Sequence, residues 1–409
     1  MRKELVFLLS LVAVALTGCS SDDDMGSKND RKDIELSVEE SAIVSVQNSR
    51  AFDMLKFYDE NTEDKNFIIS PLSAQFALGM LANGAHGNTL DELTAALGVE
   101  SLGELNSLNK RLLRELPKAD KKVKFRAANS VWLDNRFEVL PSYSRAVGEW
   151  YDAEATSLDL SDVSSIRRIN SWYDQKTEGM IPKVLDILNP DAMFYLINSL
   201  YFKGEWNENF KFDKANTKDK DFTNIAGIIK KVPMMCNKLT CRYYDGEKYG
   251  ILKMDFGNGS YSMYIILPDE DFSLGETISL FDGDVWTMTK DNRYIGECNI
   301  ELPRFKIDSY IDHIPYLKYI GVKDVFYKND ADLSALSQQK IYVSDAFQVS
   351  GIEVDENGAE AASVTVIGSV GYDHIPSKKI DFIMNRPFAF VIEETSTKTI
   401  LFMGCVKDL

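Results

Sequence analysis

The chain of 409 residues holds three histidines, His86, His313 and His374, which are its first candidates for acid–base catalysis. None belongs to a metalloprotease helix motif, and the sequence has neither a Gly-x-Ser-x-Gly elbow nor a glycine-rich loop that could cradle phosphate. His86 lies in a glycine-rich turn, and His374 lies in an exposed loop without a nucleophile nearby. His313 falls in a predicted helix, where we expect it at the surface or at a cap. The sequence therefore predicts no enzymatic activity, no cofactor and no metal site.

A different kind of chemistry is suggested by residues 356–372, which could form either a loop or a strand. This segment contains no proline, lysine or arginine, and β-branched residues run from Val364 to Ile367. It lies between two predicted strands, residues 341–354 and 388–394. A loop longer than about 12–15 residues inside a compact domain is uncommon and is usually functional. The segment could therefore be exposed as a loop and later be buried as a central strand.

As a strand, the segment would have two different faces, because alternate residues point to opposite sides of a sheet. One face would carry only small or uncharged residues, namely Ala359, Ala361, Ser363, Thr365, Ile367 and Ser369. The other face would carry Glu360, Ala362, Val364, Val366, Gly368 and Val370. The one charge that follows Ala359 thus falls on the second face, which could stay in contact with water.

The sequence around this segment resembles that of the serpins, a family of protease inhibitors. The family's hinge has the approximate pattern Glu-x-Gly-x-Glu-Ala-Ala, and the matching residues here are Glu356, Gly358, Glu360, Ala361 and Ala362. Ala359 stands where the family more often has threonine or serine. The later stretches Asn385-Arg386-Pro387-Phe388 and Ile400-Leu401-Phe402-Met403-Gly404 also match the family.

The resemblance implies a reactive loop, residues 356–380, with a bait bond that a target serine protease attacks to form a covalent acyl complex. The family's bait residue lies sixteen positions after the hinge glutamate, which places the bond at Tyr372–Asp373. An aromatic bait suits chymotrypsin-like proteases, whose specificity pocket is a hydrophobic slot. Val370, which would suit elastase-like enzymes, and His374 remain alternatives, and cysteine proteases are further possible targets.

A second function stays open within the same family. Some serpins act as carriers, chaperones or storage proteins, and their hinges often carry bulky residues or proline. Residues 359–365 contain neither, which favours an inhibitor over a non-inhibitory binding or chaperone protein.

The resemblance also implies which elements position the loop. Residues 66–73 match the start of a buried helix beneath the main sheet, and the apolar run 194–202 suits a strand that is covered on both faces. In the family, two serines, an asparagine and a histidine form a polar cluster called the shutter, and a tryptophan marks the top of the sheet. The histidine position falls on a glutamine here, which can donate and accept hydrogen bonds but cannot titrate near neutral pH. The corresponding residues are Ser70, Ser73, Asn198, Gln348 and, at the top, Trp206.

The chain exceeds the usual size of one hydrophobic core, yet no linker, repeat or low-complexity tract follows about residue 35. The resemblance covers about residues 40–409. It implies an α+β fold in one large unit, with a large central β-sheet, further sheets, about eight or nine helices and an exposed reactive loop. We therefore predict a single serpin domain over residues 38–409.

The N-terminus predicts a lipoprotein. Residues 1–18 have a positive start and an apolar run, residues 5–16, that is too short to span a bilayer as a helix. Leu16-Thr17-Gly18-Cys19 resembles the bacterial lipobox, which implies cleavage before Cys19, lipidation of its thiol and a membrane anchor. Residues 19–37 are expected to be a flexible tether. Its acidic start either directs the protein to the cell surface or is an ordinary spacer, so the surface and the periplasmic face of the outer membrane both stay open.

The net charge of −17 argues against a nucleic-acid partner, because phosphate binding needs clustered lysine and arginine. We expect a monomer. The one basic cluster is either a solvated edge or a site for a polyanion, as on some serpins; it comprises Lys118, Lys121, Lys122, Lys124 and Arg126.

The five cysteines are too scattered for a disulfide framework or a zinc site. A bridge between Cys236 and Cys241 across a hairpin stays open. Cys298 and Cys405 lie in apolar, strand-like contexts and are expected as small core residues.

Overall fold

Short polar side chains set the helix starts, because they accept hydrogen bonds from the first free backbone N–H groups. Ser37 caps the first helix and forms a capping box with Glu40, and Ser70 caps the second, with Pro71 in its first turn. The computed structural model describes residues 31–62, 65–179, 181, 183–186, 192–359 and 379–409. Its helices there are α1 (Val38–Asn61), α2 (Pro71–Ala82), α3 (Gly87–Leu97), α4 (Leu102–Glu115), α5 (Pro141–Tyr151), α6 (Val163–Lys176), α7 (Leu274–Ser279), α8 (Gly283–Asp291) and α9 (Ile314–Tyr319).

The strands come from apolar runs, several of them buried on both faces. The nearly continuous apolar run that begins at Phe194 forms a strand of 12 residues, as the sequence predicts. The strands are β1 (Phe67–Ile69), β2 (Val123–Asp134), β3 (Glu154–Leu158), β4 (Phe194–Glu205), β5 (Lys218–Thr223), β6 (Ile229–Asp245), β7 (Tyr249–Phe256), β8 (Tyr261–Pro268), β9 (Tyr294–Pro303), β10 (Phe305–Asp312), β11 (Asp345–Asp355), β12 (Gly358–Ala359), β13 (Lys379–Ile383), β14 (Phe388–Glu394) and β15 (Thr399–Val406).

The strands form two sheets. The first has six strands in the order β10-β11-β12-β4-β2-β3, and it contains the two parallel strands β11 and β4 on either side of β12. The second has nine strands in the order β1-β15-β14-β8-β7-β6-β9-β13, with β5 paired to β6. Helix α2 packs between the sheets, against β4 on one side and β15 on the other. This is the predicted α+β architecture, and the nine helices of the described residues agree with the predicted eight or nine.

Two local predictions are wrong. The sequence Thr89-Leu90-Asp91-Glu92 has the form of a capping box, but α3 begins at Gly87 and Thr89 lies inside it. The Thr89 side chain is buried and instead accepts a hydrogen bond from the Asp332 N–H. Residues 341–344 were expected to belong to a strand, whereas β11 begins only at Asp345.

The end of the predicted tether contacts the domain. Ile34 is buried in the core, and its N–H donates to Ser396 Oγ at 2.9 Å. Arg31 Nη1 donates to the Gly259 carbonyl at 3.2 Å. Residues 31–36 therefore pack along the domain before α1 begins.

The structure pairs Cys241 with Cys298 in a disulfide between β6 and β9. Cys298 is a core residue, as predicted, but it is bonded, and the bridge left open between Cys236 and Cys241 does not form, since Cys236 is free. Cys241 and Cys298 lie 57 residues apart in the sequence, so only the sheet register brings them together. Cys405 is buried in the core, as predicted, and its thiol is free.

Within the described residues, no helix is both long enough and apolar enough to cross a bilayer.

Candidate functional site

The candidate site lies between β4 and β11, where the six-stranded sheet is only partly closed. The two strands pair in parallel at their lower ends, from Asp345 opposite Tyr195 to Gln348 opposite Asn198. Above this point both strands are fully described, and no pairing joins residues 200–203 of β4 to residues 349–353 of β11. A cavity of about 750 Å³ lies between these two segments. We call it the acceptor gap.

The start of the predicted reactive loop closes the upper end of the acceptor gap. After β11 the chain turns back, and β12 pairs antiparallel with both neighbours: Ala359 lies opposite Val354 on β11 and Gly204 on β4. Ala359 is 1% exposed and belongs to the core, as Val354 does. The chain therefore enters the gap with Ala359 on the inner face of the sheet, the face that the sequence assigns to small residues.

Gly358 is required at this turn. Its φ of +147° lies in the region that side chains rarely adopt, and a Cβ atom there would collide with the Gly204 carbonyl and with the Glu205 backbone. Gly358 thus lets the hinge approach β4 closely enough to pair with it.

The hinge glutamate is anchored to two other elements. Glu356 is 1% exposed, and Arg304 Nε donates to both of its carboxylate oxygens at 2.9 and 3.0 Å, with a further bond from Nη2. Thr217 Oγ1 donates to the same carboxylate, and the Phe212 N–H donates to the Glu356 carbonyl at 3.1 Å. Burial alone would raise the pKa of Glu356, but the bonds from Arg304 and Thr217 outweigh it and hold the pKa below its ordinary value. We call this arrangement the hinge latch.

Loss of the hinge latch should lower native stability in a pH-dependent way. A carboxylate with a depressed folded-state pKa stabilises above its unfolded pKa, and this contribution is lost as the pH falls through the folded-state pKa. Glu356→Gln should therefore cost about 1–3 kcal/mol at pH 7, and this cost should shrink progressively as the pH falls below the unfolded glutamate pKa of about 4.3. The measurement is the thermal unfolding midpoint of the wild type and of Glu356→Gln, from pH 7 down to pH values below about 4.

A matched control for the latch is Glu353→Gln. Glu353 pairs with Lys306 at 3.5 Å, and both side chains are more than half exposed. Such pairs contribute little, typically under 1 kcal/mol. If the two substitutions lowered the midpoint equally, the buried pair at Glu356 would not be holding the hinge.

Trp206 lies at the top of the gap, in the position that the resemblance implies. It is fully buried, and its ring stacks on Phe256 at 4.6 Å. Its Nε1 donates to the Asp355 carbonyl at 3.0 Å, and its backbone N–H donates to the Asn357 carbonyl at 2.7 Å. Trp206 thus contacts the residues on both sides of Glu356.

The four predicted shutter residues lie together beneath the lower end of the gap. The Ser70 N–H donates to Gln348 Oε1 at 2.9 Å, and Gln348 Nε2 donates back to the Ser70 carbonyl at 3.0 Å. Ser73 Oγ donates to Asn198 Oδ1. The cluster thus links the start of α2 to both strands that border the gap, and every member is buried, which makes these bonds expensive to leave unmade.

Sequence reasoning missed three contributors. Asn129 on β2 is buried, and its Oδ1 accepts from Asn198 Nδ2, so it extends the shutter. Its signal was weak, since β2 carries other polar residues, among them Lys124 and Arg126, whereas Asn198 interrupts an apolar run. Arg304 and Thr217 of the latch gave no such signal, because exposed arginine and threonine are common on any surface.

The remaining predicted site residues lie outside the described part of the chain. They are Cys19, Glu360, Ala361, Ala362, Val370, Tyr372, Asp373 and His374.

The structure thus places Gly358 and Ala359, the start of the predicted reactive loop, at the upper end of an unpaired stretch between two parallel strands. Comparisons with known proteins identify the family. The family model described as serpin (serine protease inhibitor) matches residues 45–409. Leukocyte elastase inhibitor of Equus caballus is 31% identical over 368 residues, which cover 87% of this chain and 96% of that protein. Human neuroserpin is 30% identical over 358 residues, covering 84% and 86%.

A solved structure shows the same fold. Tengpin, a thermophilic serpin crystallised in its native state, superposes with a TM-score of 0.81 and 31% identity, covering 92% of this chain and 96% of tengpin. The chain belongs to the serpin family.

Proposed function

We propose that this serpin traps chymotrypsin-like or elastase-like serine proteases as a suicide substrate, and that it acts as an inhibitor and not as an enzyme. The observation that carries the proposal is the strand pairing of Gly358 and Ala359 above the open acceptor gap. The relatives named leukocyte elastase inhibitors support a target of this protease class.

The proposed reaction begins at the Tyr372–Asp373 bond. The protease serine Oγ attacks the Tyr372 carbonyl carbon, the peptide C–N bond breaks, and the Asp373 nitrogen leaves with a proton as a new N-terminus. Tyr372 stays bound to the protease as an ester. The cut frees residues 360–372 from the strand at Lys379, so that they can enter the acceptor gap.

The observed register predicts where each inserted residue would lie. Continuing from Ala359, which faces Val354 and Gly204, Thr365 would fall between Gln348 and Asn198. Its hydroxyl could then join the shutter, whose present pairing of Asn198 with Gln348 must open. Glu360, on the outer face, would lie between Lys203 and Glu353, at the wet upper part of the sheet.

Insertion moves the bound protease and provides the free energy that inactivates it. Residues 360–372 at about 3.3 Å each carry the tethered protease roughly 40 Å. At about 1 kcal/mol net for each new hydrogen bond, the inserted strand gains on the order of 10 kcal/mol. This gain can distort the protease active site before water cleaves the ester. The native form must therefore be metastable, with strain that insertion releases.

The test is a reaction with chymotrypsin, analysed on a denaturing gel and by mass spectrometry. We expect an adduct that survives SDS, together with a released C-terminal peptide that begins at Asp373. Cleavage without an adduct would favour the non-inhibitory alternative, a binding or chaperone protein of the same fold. A peptide that begins at another residue would refute the bait assignment while leaving inhibition in place.

We also propose that the protein is a bacterial outer-membrane lipoprotein, anchored through lipid on Cys19 after removal of residues 1–18. The support is the lipobox-like sequence at residues 16–19 and the charged and apolar pattern that precedes it. Growth with a labelled fatty acid should label the wild-type protein and not Cys19→Ala. Equal labelling of both would refute the anchor, and protease treatment of intact cells would separate the cell surface from the periplasmic face.

A further inference from the structure

A second cavity lies beneath the closed lower part of the six-stranded sheet. Its volume is about 40 Å³, and its walls are formed by helices and by the two strands that border the acceptor gap. Helix α2 contributes Ala77 and Leu81, β4 contributes Leu196 and β11 contributes Ala346. These side chains are apolar, and we call the space the His313 cavity after the one imidazole that lines it.

His313 was expected at the surface or at a cap, and the structure places it at a cap position but buries it. It occupies the N-cap position of α9 but makes no side-chain capping bond, and it is only 7% exposed. Its Nδ1 lies 2.7 Å from Tyr58 Oη. Its Nε2 is buried without a hydrogen-bond partner in the part of the chain that the structure describes. A buried polar atom without a hydrogen bond costs free energy, so we expect Nε2 to have a partner.

The neighbours of the His313 cavity do not provide that partner. Tyr58 binds the other ring nitrogen and does not line the cavity. Tyr316 does line it, but the Tyr316 hydroxyl donates to the Arg50 carbonyl at 3.4 Å. A water molecule is a poor candidate because a buried water needs two to four polar partners, and the described walls offer it one.

Size and chemistry together define a better occupant. About 40 Å³ exceeds the roughly 10–15 Å³ that one water needs and falls well short of the roughly 150 Å³ of a cavity that holds benzene. The apolar walls suit a short hydrocarbon body. Burial lowers the pKa of His313 to about 4, so the ring is neutral at pH 7 and would not hold a carboxylate as an ion pair. A hydroxyl group can donate or accept, so it suits either tautomer of the ring.

We propose that the His313 cavity binds a small uncharged molecule with a short apolar body and one hydroxyl group, which bonds to His313 Nε2.

The position of the cavity implies that such a molecule affects the opening of the sheet. Leu196 and Ala346 face each other in the β4–β11 pairing that an entering strand must separate. A molecule beneath them packs against both strands and against α2, and it therefore stabilises the closed sheet. In the continued register, Ile367 would enter over the same two residues, so occupancy opposes insertion. This second part rests on the proposed function.

Binding can be tested without any protease, with methanol and ethanol as probes, because longer alcohols approach the size of benzene and exceed the cavity. The chain has three histidines, so imidazole ¹⁵N spectra are simple to assign by the loss of one set of signals in His313→Leu. We expect a saturable shift of the His313 nitrogens at millimolar alcohol, with the His86 and His374 signals unmoved. Ala77→Val should fill part of the cavity and weaken binding at least tenfold. His313→Leu, followed through wall methyl groups, should weaken it about tenfold through loss of one hydrogen bond.

The possible outcomes distinguish binding in the His313 cavity from an effect of that binding on insertion. A shift that grows linearly with alcohol, or one that all three histidines share, overturns the site, as does unchanged affinity in Ala77→Val. With chymotrypsin, the alcohol should increase the number of inhibitor molecules consumed per protease trapped for the wild type, and not for Ala77→Val. Saturable binding without that increase overturns the effect on insertion. If no trapped protease forms even without alcohol, the proposed function fails, and the spectra still decide the site.

Discussion

Ala361→Arg should turn the inhibitor into a substrate. In the continued register, the inserted residue 361 would lie on the inner face between Phe202 and Ile352, both of which are buried. An unpaired charge there costs several kcal/mol even after relaxation. Insertion would stall near its beginning, while the bait bond, eleven residues further on, stays unchanged. Acylation should then proceed at its normal rate, and deacylation should free the protease.

The measurement is the number of inhibitor molecules consumed per protease trapped, which should rise at least tenfold for Ala361→Arg. Ala362→Arg is the matched control, because in the continued register residue 362 would lie on the outer face, opposite Tyr201 and the exposed Gly351. A charge there can reach water and should have only a slight effect. Equal effects of the two substitutions would contradict the assignment of the two faces.

The sequence predicted the outer face as wet, and the structure limits this to its upper part. Lower on the sheet, α6 covers the outer side with Trp172 and Tyr173, which pack in one cluster with Ile197, Phe347 and Val349. In the continued register, Val364 would lie opposite Val349, and Val366 would lie between Ile197 and Phe347. The apolar residues of the outer face thus fall where a helix covers the sheet, and Glu360 falls where none does.

Much of the site could be predicted because its signals are local. The hinge is a contiguous motif, the strand at Phe194 is a contiguous apolar run, and the cap at Ser70 needs only the neighbouring Pro71. Alternation alone assigned Ala359 to the buried face, and the structure buries it against the core. These features follow from strand and helix periodicity, which can be read directly from the sequence.

The features that were missed depend on contacts between distant parts of the chain. Arg304 reaches Glu356 across 52 residues, and Thr217 reaches it across 139. The Cys241–Cys298 bond follows from the β6–β9 register, which no local pattern specifies. The burial of His313 was missed because a single histidine at a helix start gives the same local signal at the surface or in the core. Each of these features depends on the tertiary fold and not on the local sequence.

Cleavage within the reactive loop should raise the thermal unfolding midpoint by about 10–15 °C. The inserted strand gains on the order of 10 kcal/mol if each new hydrogen bond nets about 1 kcal/mol. Unfolding entropy is about 2.1 cal/mol/K per residue, so a domain of about 370 residues has roughly 0.8 kcal/mol/K. The ratio of these two values gives the expected shift. The open gap is already bordered by two parallel strands, and the entering loop must in addition separate their paired lower ends, from Asp345 opposite Tyr195 to Gln348 opposite Asn198.

The shift can be measured by calorimetry of intact and cleaved protein at one scan rate, since irreversible unfolding makes the midpoint depend on that rate. Cleaved Ala361→Arg is the matched control, because it carries the same cut but a charge that opposes insertion, and its midpoint should rise far less. If intact and cleaved wild type melt within a degree or two of each other, the loop does not insert. The pairing of Gly358 and Ala359 would then be a fixed end of the strand β11, and a binding or chaperone role would gain support over inhibition.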